Sequence, residues 1–277
     1  MTPRMLVLDI DGTTLRADHA LAEEDRAAIA ALVDAGIPVA LATGRLYSGA
    51  RMVTAELGLE GRVACMNGSE IVDVASGDRH LRRALGGAAL AAARDALRHA
   101  TVVPFLFTSE RIVHCERGEP FTAYMRTWSA TFDRCAEVLE APDWDDDDGV
   151  LAVAAISDEA GARAVAEAAR DALPPEVETL LYPSRSGFWA LQFRDRREDK
   201  GTALDHLAAP HGLTADHVVA VGDWLNDLPM LRRAGRSFAM GQAPREVKEA
   251  ATDVLDRTSE TGGAVADVAR TVWGIEA

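Results

Sequence analysis

Short apolar runs alternate with segments of helical spacing in the first part of the chain. Met5–Leu8, Ile37–Ala42 and Arg62–Met66 are runs of strand length with mostly apolar residues. Ala22–Ala35 and Ser48–Leu57 instead carry their apolar residues at the spacing of a helix. This alternation predicts three parallel strands covered by helices, which is the α/β class of fold.

The pattern changes near residue 82, where strands begin to come in pairs separated by short turns. Because paired strands indicate an antiparallel sheet, we predict an α+β domain at residues 83–193, inserted into an α/β core formed by residues 1–82 and 194–277. The core pattern resumes with a helix that begins at Lys200, with Asp199 as its N-cap, and a strand at His217–Val221. The insertion contains predicted strands at Thr101–Phe107, Arg111–Cys115, Val150–Ile156, Val177–Tyr182 and Phe188–Phe193, and predicted helices at Leu85–His99, Glu119–Arg134 and Glu159–Leu173.

Composition and charge exclude several classes of protein. The chain has 277 residues and a formal net charge of -15, whereas a nucleic-acid-binding protein usually presents a basic surface. Its three cysteines have no CxxC spacing, which favours reduced thiols in a cytoplasmic protein. The chain shows neither a signal-peptide pattern nor an apolar run long enough for a membrane span. We therefore expect a cytoplasmic protein that binds neither nucleic acid nor membrane.

Polar side chains follow several of the predicted strands at the point where each strand ends. Because ligands of parallel sheets bind at the carboxyl ends of the strands, these side chains are expected to share one site. Hard oxygen ligands without a cluster of histidines or cysteines suit Mg²⁺ rather than zinc or copper. The candidates are Asp9 and Asp11 after the first strand, Thr43 after the second, Lys200 at the helix start, and Asp223, Asn226 and Asp227 after a later strand.

A magnesium site with one ammonium group and one hydroxyl group has the components that phosphoryl transfer needs. The metal and the ammonium group neutralise phosphate oxygens as charge redistributes. An aspartate can attack phosphorus to form an aspartyl-phosphate, and a second acid nearby can protonate the leaving oxygen.

Four motifs carry a resemblance to a known family. In order they are Asp9-Ile-Asp-Gly-Thr13, Thr43-Gly-Arg45, Lys200-Gly201 and Gly222-Asp-Trp-Leu-Asn-Asp227. They resemble the four motifs of the haloacid dehalogenase superfamily, and the long insertion after the second motif resembles the Cof-type (type IIB) phosphatases, which carry a C2 cap domain. The resemblance implies a Rossmann-like three-layer core with a parallel sheet, and a C2 cap at residues 83–193.

The resemblance also implies roles for the carboxylates. Asp9 would be the nucleophile and a Mg²⁺ ligand. Asp11 would act as general acid and base, with its main-chain carbonyl as a further ligand of the metal. Asp223 would bind Mg²⁺, and Asp227 would be either a ligand or a support for one.

The remaining motif residues would hold the phosphoryl group. Thr43 and Gly44 would bind it, and Lys200 would neutralise its charge. Asn226 would either donate a hydrogen bond to the phosphate or orient its loop.

Some positions leave two interpretations open. Asn67 either contacts the substrate or serves only the Asn-Gly turn, and Arg45 either contacts the substrate or pairs with an acid. In the insertion, Arg185 and Trp189 are candidate contacts for a sugar or phosphate group. Trp224 either shapes the rim of the pocket or packs under the cap.

Two positions depart from the family pattern, namely Gln242, where relatives often have Asn, and the Thr261-Gly-Gly turn. Both are expected to be peripheral to the chemistry.

The sequence thus predicts a Mg²⁺-dependent phosphatase of small phosphorylated metabolites, most of all sugar phosphates. One alternative is a phosphomutase of the phosphomannomutase type on the same scaffold. A second alternative, from another class, is a metabolite-binding protein without catalytic activity.

Overall fold

The computed structural model describes residues 2–98, 101–146, 149–184 and 187–276. The chain divides into two compact units, each with its own sheets. The first unit contains Met1–Gly44, Ala50–Leu81 and Glu198–Ala277, and the second contains Arg45–Gly49 and Arg82–Arg197. None of the helices in the described ranges has the length and apolar character that crossing a membrane requires.

The first unit is built on a five-stranded parallel sheet in the order β14-β13-β12-β1-β2. Strand β1 lies between two partners, with Met5 opposite Val218 on one side and Leu6 opposite Val39 on the other. The strands of this sheet are β1 (Met5–Leu8), β2 (Val39–Leu41), β12 (Val218–Gly222), β13 (Arg236–Ala239) and β14 (Asp253–Val254). All four residues of β1 are buried, which explains its continuous apolar sequence.

Helices cover both faces of this sheet. Met5 and Val7 belong to a hydrophobic cluster with residues of α6, α7 and α8, and Leu6 and Leu8, on the opposite face, are equally buried. The helices of this unit are α1 (Glu23–Asp34), α2 (Tyr47–Glu56, whose first turn belongs to the second unit), α6 (Lys200–Ala208), α7 (Leu228–Arg233), α8 (Arg245–Ala250) and α9 (Ala264–Trp273). The predicted α/β fold with a parallel sheet is confirmed.

The third predicted strand does not extend the parallel sheet as expected. Strand β3 (Arg62–Cys65) pairs antiparallel with β4 (Glu70–Asp73), and β5 (Arg79–Arg82) completes a separate three-stranded sheet. A single parallel bridge joins Ala42 to Ala64. A tight reversal directly after β3, where Asn67 adopts a left-handed conformation with φ 56°, brings β4 back alongside β3.

The second unit is built on a six-stranded sheet in the order β10-β11-β9-β6-β7-β8. Its strands are β6 (Val103–Thr108), β7 (Ile112–His114), β8 (Phe132–Arg134), β9 (Val150–Ser157), β10 (Val177–Pro183) and β11 (Trp189–Asp195). Helices α3 (Gly87–Arg98) and α5 (Glu159–Ala169) contribute to the hydrophobic cluster on one face of this sheet.

The helix predicted at Glu119–Arg134 is wrong. A short 3₁₀ turn containing Pro120 is followed by the single-turn helix α4 (Thr122–Met125), and the segment ends in β8, which pairs parallel with β7. The aromatic residues here have helical spacing, but their rings pack in tertiary contacts instead. The ring of Tyr124, for example, lies 5.0 Å from that of Phe188, and the ring of Trp128 lies 5.8 Å from that of Phe107.

Candidate active site

A tight turn after β1 presents Asp9 at the carboxyl end of the sheet. The hydroxyl group of Thr14 donates a hydrogen bond of 2.6 Å to the main-chain oxygen of Asp9, which closes the turn. Gly12 has φ 85°, a conformation that residues with side chains rarely adopt. A Cβ atom at Gly12 would also overlap the carboxylate of Asp223, so the turn requires glycine both for its conformation and for this close approach.

Lys200 connects two of the carboxylates. It is the first residue of α6, whose predicted N-cap is confirmed, because the side chain of Asp199 accepts a hydrogen bond from the main-chain N–H of Thr202. The side chain of Lys200 is fully buried. Its Nζ atom lies 2.5 Å from Oδ1 of Asp9 and 2.6 Å from Oδ1 of Asp227. The buried ammonium group thus has two anionic partners, as burial of a charge requires.

Asp227 uses both of its carboxylate oxygens within the protein. While Oδ1 accepts from Lys200, Oδ2 accepts hydrogen bonds from the main-chain N–H groups of Asp223, at 2.8 Å, and Trp224, at 3.0 Å. Asp227 therefore fixes the loop that follows β12 and determines where Asp223 is placed.

Three carboxylates converge at this point. One oxygen from each of Asp9, Asp223 and Asp227 lies within 4.8 Å of the others. Burial, together with Asp227 and Asp223, raises the pKa of Asp9 well above its ordinary value, although Lys200 opposes this. Burial and the charge of Asp227 likewise raise the pKa of Asp223 to about 6, with a smaller contribution from Asp11.

This set of groups fits a hard divalent cation. The ammonium group of Lys200 lowers the pKa of both Asp9 and Asp223. Burial and the neighbouring carboxylates outweigh this effect, so both pKa values stay above the ordinary value. A cation bound by oxygen atoms would balance the remaining negative charge and keep these carboxylates ionised.

A second group of predicted residues meets at the ends of β2 and β3. Thr43 is fully buried, and its main-chain oxygen accepts a hydrogen bond of 2.8 Å from the N–H of Asn67. Asn226 donates from Nδ2 to Oδ1 of Asn67 over 2.8 Å. Gly44 lies beside both amides, since a Cβ atom there would be 3.5 Å from Oδ1 of Asn67 and 3.8 Å from Nδ2 of Asn226. Thr43, Gly44, Asn67 and Asn226 therefore lie together.

Three further candidates, Arg45, Trp189 and Arg185, lie outside the first unit or outside the described residues. Arg45 and Trp189 belong to the second unit. Trp189 packs against the hydrophobic core of that unit, and the guanidinium carbon of Arg163 lies 5.3 Å from the centre of its indole ring. Trp189 thus has a packing role there. Arg185 lies outside the described residues.

Gln242 is not peripheral, contrary to the expectation from sequence. Its Nε2 atom donates hydrogen bonds to the main-chain oxygen of Gly12, at 2.8 Å, and to Oδ2 of Asp223, at 3.1 Å. Its Oε1 atom accepts from the N–H of Ser259. Gln242 therefore joins the turn after β1 to the carboxylate of Asp223. The signal that could have identified it is its place shortly after β13, at the same edge of the sheet as the other site residues.

The fourth motif also exposes two large apolar side chains. Trp224 is 48% exposed and its neighbour Leu225 is 46% exposed. Trp224 is therefore not packed into the core of the first unit.

Comparison with known proteins gives the family. A sequence model of the haloacid dehalogenase-like hydrolases matches residues 6–268, which is nearly the whole chain. The chain belongs to this family, and the resemblance of the four motifs is confirmed.

Relatives and solved structures agree with this assignment. The chain is 27% identical over 263 residues to the 5-amino-6-(5-phospho-D-ribitylamino)uracil phosphatase YcsE of Bacillus subtilis, covering 95% of this chain and 94% of that protein. A haloacid dehalogenase-like hydrolase from Bacteroides thetaiotaomicron has the same fold, with a TM-score of 0.82, 23% identity, and coverage of 98% of this chain and 100% of that one. A sugar phosphatase of haloacid dehalogenase subclass IIB shares the fold with a TM-score of 0.70 and 20% identity, covering 91% and 93% of the two chains. The protein is an enzyme, and the predicted class, a phosphatase of the haloacid dehalogenase type, is confirmed.

Proposed function

We propose that this enzyme is a Mg²⁺-dependent phosphatase of small phosphorylated metabolites that works through an aspartyl-phosphate on Asp9. The observation that carries the proposal is the contact of buried Lys200 with both Asp9 and Asp227, beside Asp223. This arrangement supports a nucleophilic carboxylate held by an ammonium group, beside carboxylates that would hold a cation.

Mg²⁺ would be held by the carboxylates of Asp9 and Asp223 and by the main-chain oxygen of Asp11. Asp227 supports this site rather than binding the metal, because its two oxygens already accept hydrogen bonds from Lys200 and from two main-chain N–H groups. When bound, the metal would neutralise negative charge on the phosphoryl oxygens.

In the first step, a carboxylate oxygen of Asp9 attacks phosphorus, and the bond from phosphorus to the ester oxygen breaks. Asp11 donates a proton to that oxygen, so the organic part of the substrate leaves as a neutral alcohol. Lys200 holds the Asp9 carboxylate in place and stabilises the negative charge around phosphorus.

In the second step, Asp11 accepts a proton from water, whose oxygen attacks phosphorus of the aspartyl-phosphate. The bond between phosphorus and the Asp9 oxygen breaks, which releases inorganic phosphate and restores the Asp9 carboxylate. Asp11 thus alternates between acid and base in one catalytic cycle.

Thr43, Gly44 and Asn226 would bind the phosphoryl oxygens through hydroxyl, main-chain N–H and amide groups. Asn67 acts as a positioning residue in this proposal, since its side chain accepts the hydrogen bond of Asn226 and its N–H donates to Thr43.

Sugar phosphates and sugar-alcohol phosphates are the substrate class that we infer. One relative is named for a substrate that contains a phosphorylated ribityl chain, which supports this class. We also propose that residues 82–197, the larger segment of the second unit, form the cap domain that sets specificity.

The test is phosphate release by the Asp9→Asn variant from a panel of sugar phosphates with Mg²⁺. We expect its turnover to be lost with the fold intact, while Asp34→Asn, which changes an exposed carboxylate on α1, keeps full activity. Sustained turnover by a well-folded Asp9→Asn variant would contradict the mechanism. A hexose 1-phosphate in the panel separates the alternatives, because free phosphate indicates a hydrolase and an isomerised sugar phosphate indicates a phosphomutase.

A further inference from the structure

Two large apolar side chains are exposed next to the proposed metal ligand. Five large hydrophobic residues are exposed among the described residues, and two of them, Trp224 and Leu225, are consecutive and lie between Asp223 and Asn226. Single exposed apolar residues are common, whereas contiguous exposed apolar surface marks places where a ligand or a partner binds.

The backbone that carries Trp224 is held in place. Its N–H donates to Oδ2 of Asp227 at 3.0 Å, and its main-chain oxygen accepts from the N–H of Asp227, also at 3.0 Å. Leu225 begins the short 3₁₀ turn that follows, Leu225–Asp227. The two apolar side chains are therefore presented on a fixed turn, which lowers the entropy cost of binding something against them.

The organic part of a bound phosphate ester would lie within reach of this surface. The Cα atoms of consecutive residues are about 3.8 Å apart, so the Trp224 side chain starts immediately beside the ligand residue Asp223. Asn226, proposed to bind the phosphoryl group, is two positions further along. The exposed pair therefore lies in the chain between a proposed metal ligand and a residue proposed to bind the phosphoryl group.

We propose that Trp224, flanked by Leu225, is a specificity residue that stacks on a planar ring in the leaving group, so that the enzyme prefers phosphate esters of polyols or sugars that carry a heteroaromatic ring. This inference rests on the proposed function and narrows its substrate class. An indole ring binds a planar π-system by stacking, and the stacking of one base contributes about 1–3 kcal/mol. Two side chains are also far too small for a protein interface, which needs roughly 800 Å² on each partner.

A matched pair of substrates tests the proposal. Uridine 5′-phosphate and ribose 5-phosphate share the ribose 5-phosphate group and differ by the uracil ring. We expect wild-type kcat/KM to be higher for the ring-bearing ester, chiefly through a lower KM. Trp224→Ala is expected to lower kcat/KM for uridine 5′-phosphate about ten-fold, the size that stacking of one base gives, and to change it far less for ribose 5-phosphate.

Two further variants separate stacking from a structural effect. Trp224→Phe keeps an aromatic face and should retain most of the preference for the ring. Val33→Ala removes an exposed apolar side chain on α1 and should leave kcat/KM for both substrates unchanged. The Mg²⁺ concentration for half-maximal activity on ribose 5-phosphate should also stay unchanged in Trp224→Ala, which shows that Asp223 has not moved.

The outcomes distinguish this inference from the proposed function. If wild-type enzyme hydrolyses both esters through Asp9 with equal kcat/KM, or if Trp224→Ala lowers both equally, the specificity role is wrong and the phosphatase mechanism stands. If no phosphate ester is turned over, the proposed function itself fails. Equilibrium binding of the two esters to the Asp9→Asn variant then still measures the ring preference without turnover, and equal affinity would overturn the role of Trp224.

Discussion

The Nζ atom of Lys200 lies 2.6 Å from Oδ1 of Asp227, and both side chains are fully buried. The same ammonium group contacts Asp9, and the same carboxylate holds the N–H groups of Asp223 and Trp224. A single buried ion pair thus fixes the nucleophile and the loop with the metal ligand at once. Changes in this pair should affect stability and activity together.

Replacing Lys200 should destabilise the fold. Lys200→Met leaves two buried carboxylates without their cation, and breaking a buried pair in this way costs about 3 kcal/mol of the free energy of unfolding. Urea denaturation in the absence of Mg²⁺ measures the loss. The matched control is Lys248→Met on α8, the other lysine of the chain. Adding Asp227→Asn to Lys200→Met should restore part of the stability, and a double variant no more stable than the single one would argue against the pair.

The role of Asp11 can be tested by comparing phosphate esters whose leaving groups differ in acidity. Asp11→Asn cannot protonate the ester oxygen, so turnover of alkyl phosphates should fall by roughly 10²–10⁴-fold. An aryl phosphate with an acidic phenol needs little protonation, and its first step should be much less affected. Phosphate should then accumulate on Asp9, detectable by rapid quench and intact-mass analysis. The first step is followed by the burst of released alcohol or phenol, and an equal loss of this burst rate for alkyl and aryl esters would exclude Asp11 as the acid.

Gln242 should influence metal affinity without binding the metal. Its Nε2 atom donates to Oδ2 of Asp223 and lowers the pKa of that carboxyl group. Gln242→Leu removes this donor, and a partner behind a metal ligand contributes about ten-fold or more to affinity. We expect the Mg²⁺ concentration for half-maximal activity to rise by about that factor, with kcat at saturating Mg²⁺ changed much less. Gln242→Asn tests whether a shorter amide still donates to the carboxylate of Asp223. An unchanged Mg²⁺ requirement in Gln242→Leu would refute the role of Gln242 in metal affinity.

The raised pKa of Asp223 makes stability depend on pH. Its value of about 6 in the fold exceeds the ordinary 3.8, so the folded state binds this proton more tightly than the unfolded state. The resulting stability is fully present below the unfolded value and is lost as the pH rises through about 6. The loss in the metal-free protein is at most about 3 kcal/mol, because each pKa unit corresponds to about 1.4 kcal/mol.

Urea unfolding of the wild type and Asp223→Asn isolates this effect, because the asparagine does not titrate. The stability of the wild type relative to the variant should decline between about pH 4 and about pH 6 without metal, and should change little above about pH 7. Mg²⁺ should stabilise the wild type more at the higher pH, where the carboxylate is ionised. Equal stabilisation by Mg²⁺ at both pH values would be inconsistent with Asp223 as a ligand.

Gly68 should be intolerant of even a methyl group. Its φ is +100°, and a Cβ atom would lie 2.5 Å from the main-chain oxygen of Asp199, the N-cap of α6. Gly68→Ala should therefore cost about 2 kcal/mol or more of unfolding free energy and should also lower activity by displacing Lys200. Gly58→Ala is the matched control, because its φ is also positive but nothing lies within 4 Å. It should cost about 1 kcal/mol, with activity kept. Equal destabilisation in the two variants would show that the contact with Asp199 is unimportant.

Local sequence signals predicted the core because they follow from one geometric rule. In a parallel sheet the carboxyl ends of strands share an edge, so the apolar runs before Asp9, Thr43 and Asp223 were enough to place these residues near one another. Which side chains from other loops would contact these residues could not be predicted from the same rule. The contact of Gln242 with Asp223 depends on how far β13 extends and on which way an exposed loop turns, and neither is encoded in a short pattern.

The errors share a cause, which is that long-range packing overrode local spacing. Tyr124 has helical spacing to Trp128, yet its ring also packs against Phe188, which is distant in the chain. Likewise the Asn67-Gly68 turn was evident, but the sheet that β3 would join depends on pairing with β4, for which a single strand carries no signal.

The order of strands in the parallel sheet has a consequence during protein synthesis. Strand β1 gains its neighbour β2 early, but its other partner, β12, is made only after the whole insertion has left the ribosome. Until then the edge of β1 that later pairs with β12 is unpaired, and an unpaired apolar strand can pair wrongly with other chains. We expect nascent chains that stop before Val218 to require chaperones, and catalytic competence to arise only after Lys200 and the loop that follows β12 have been made.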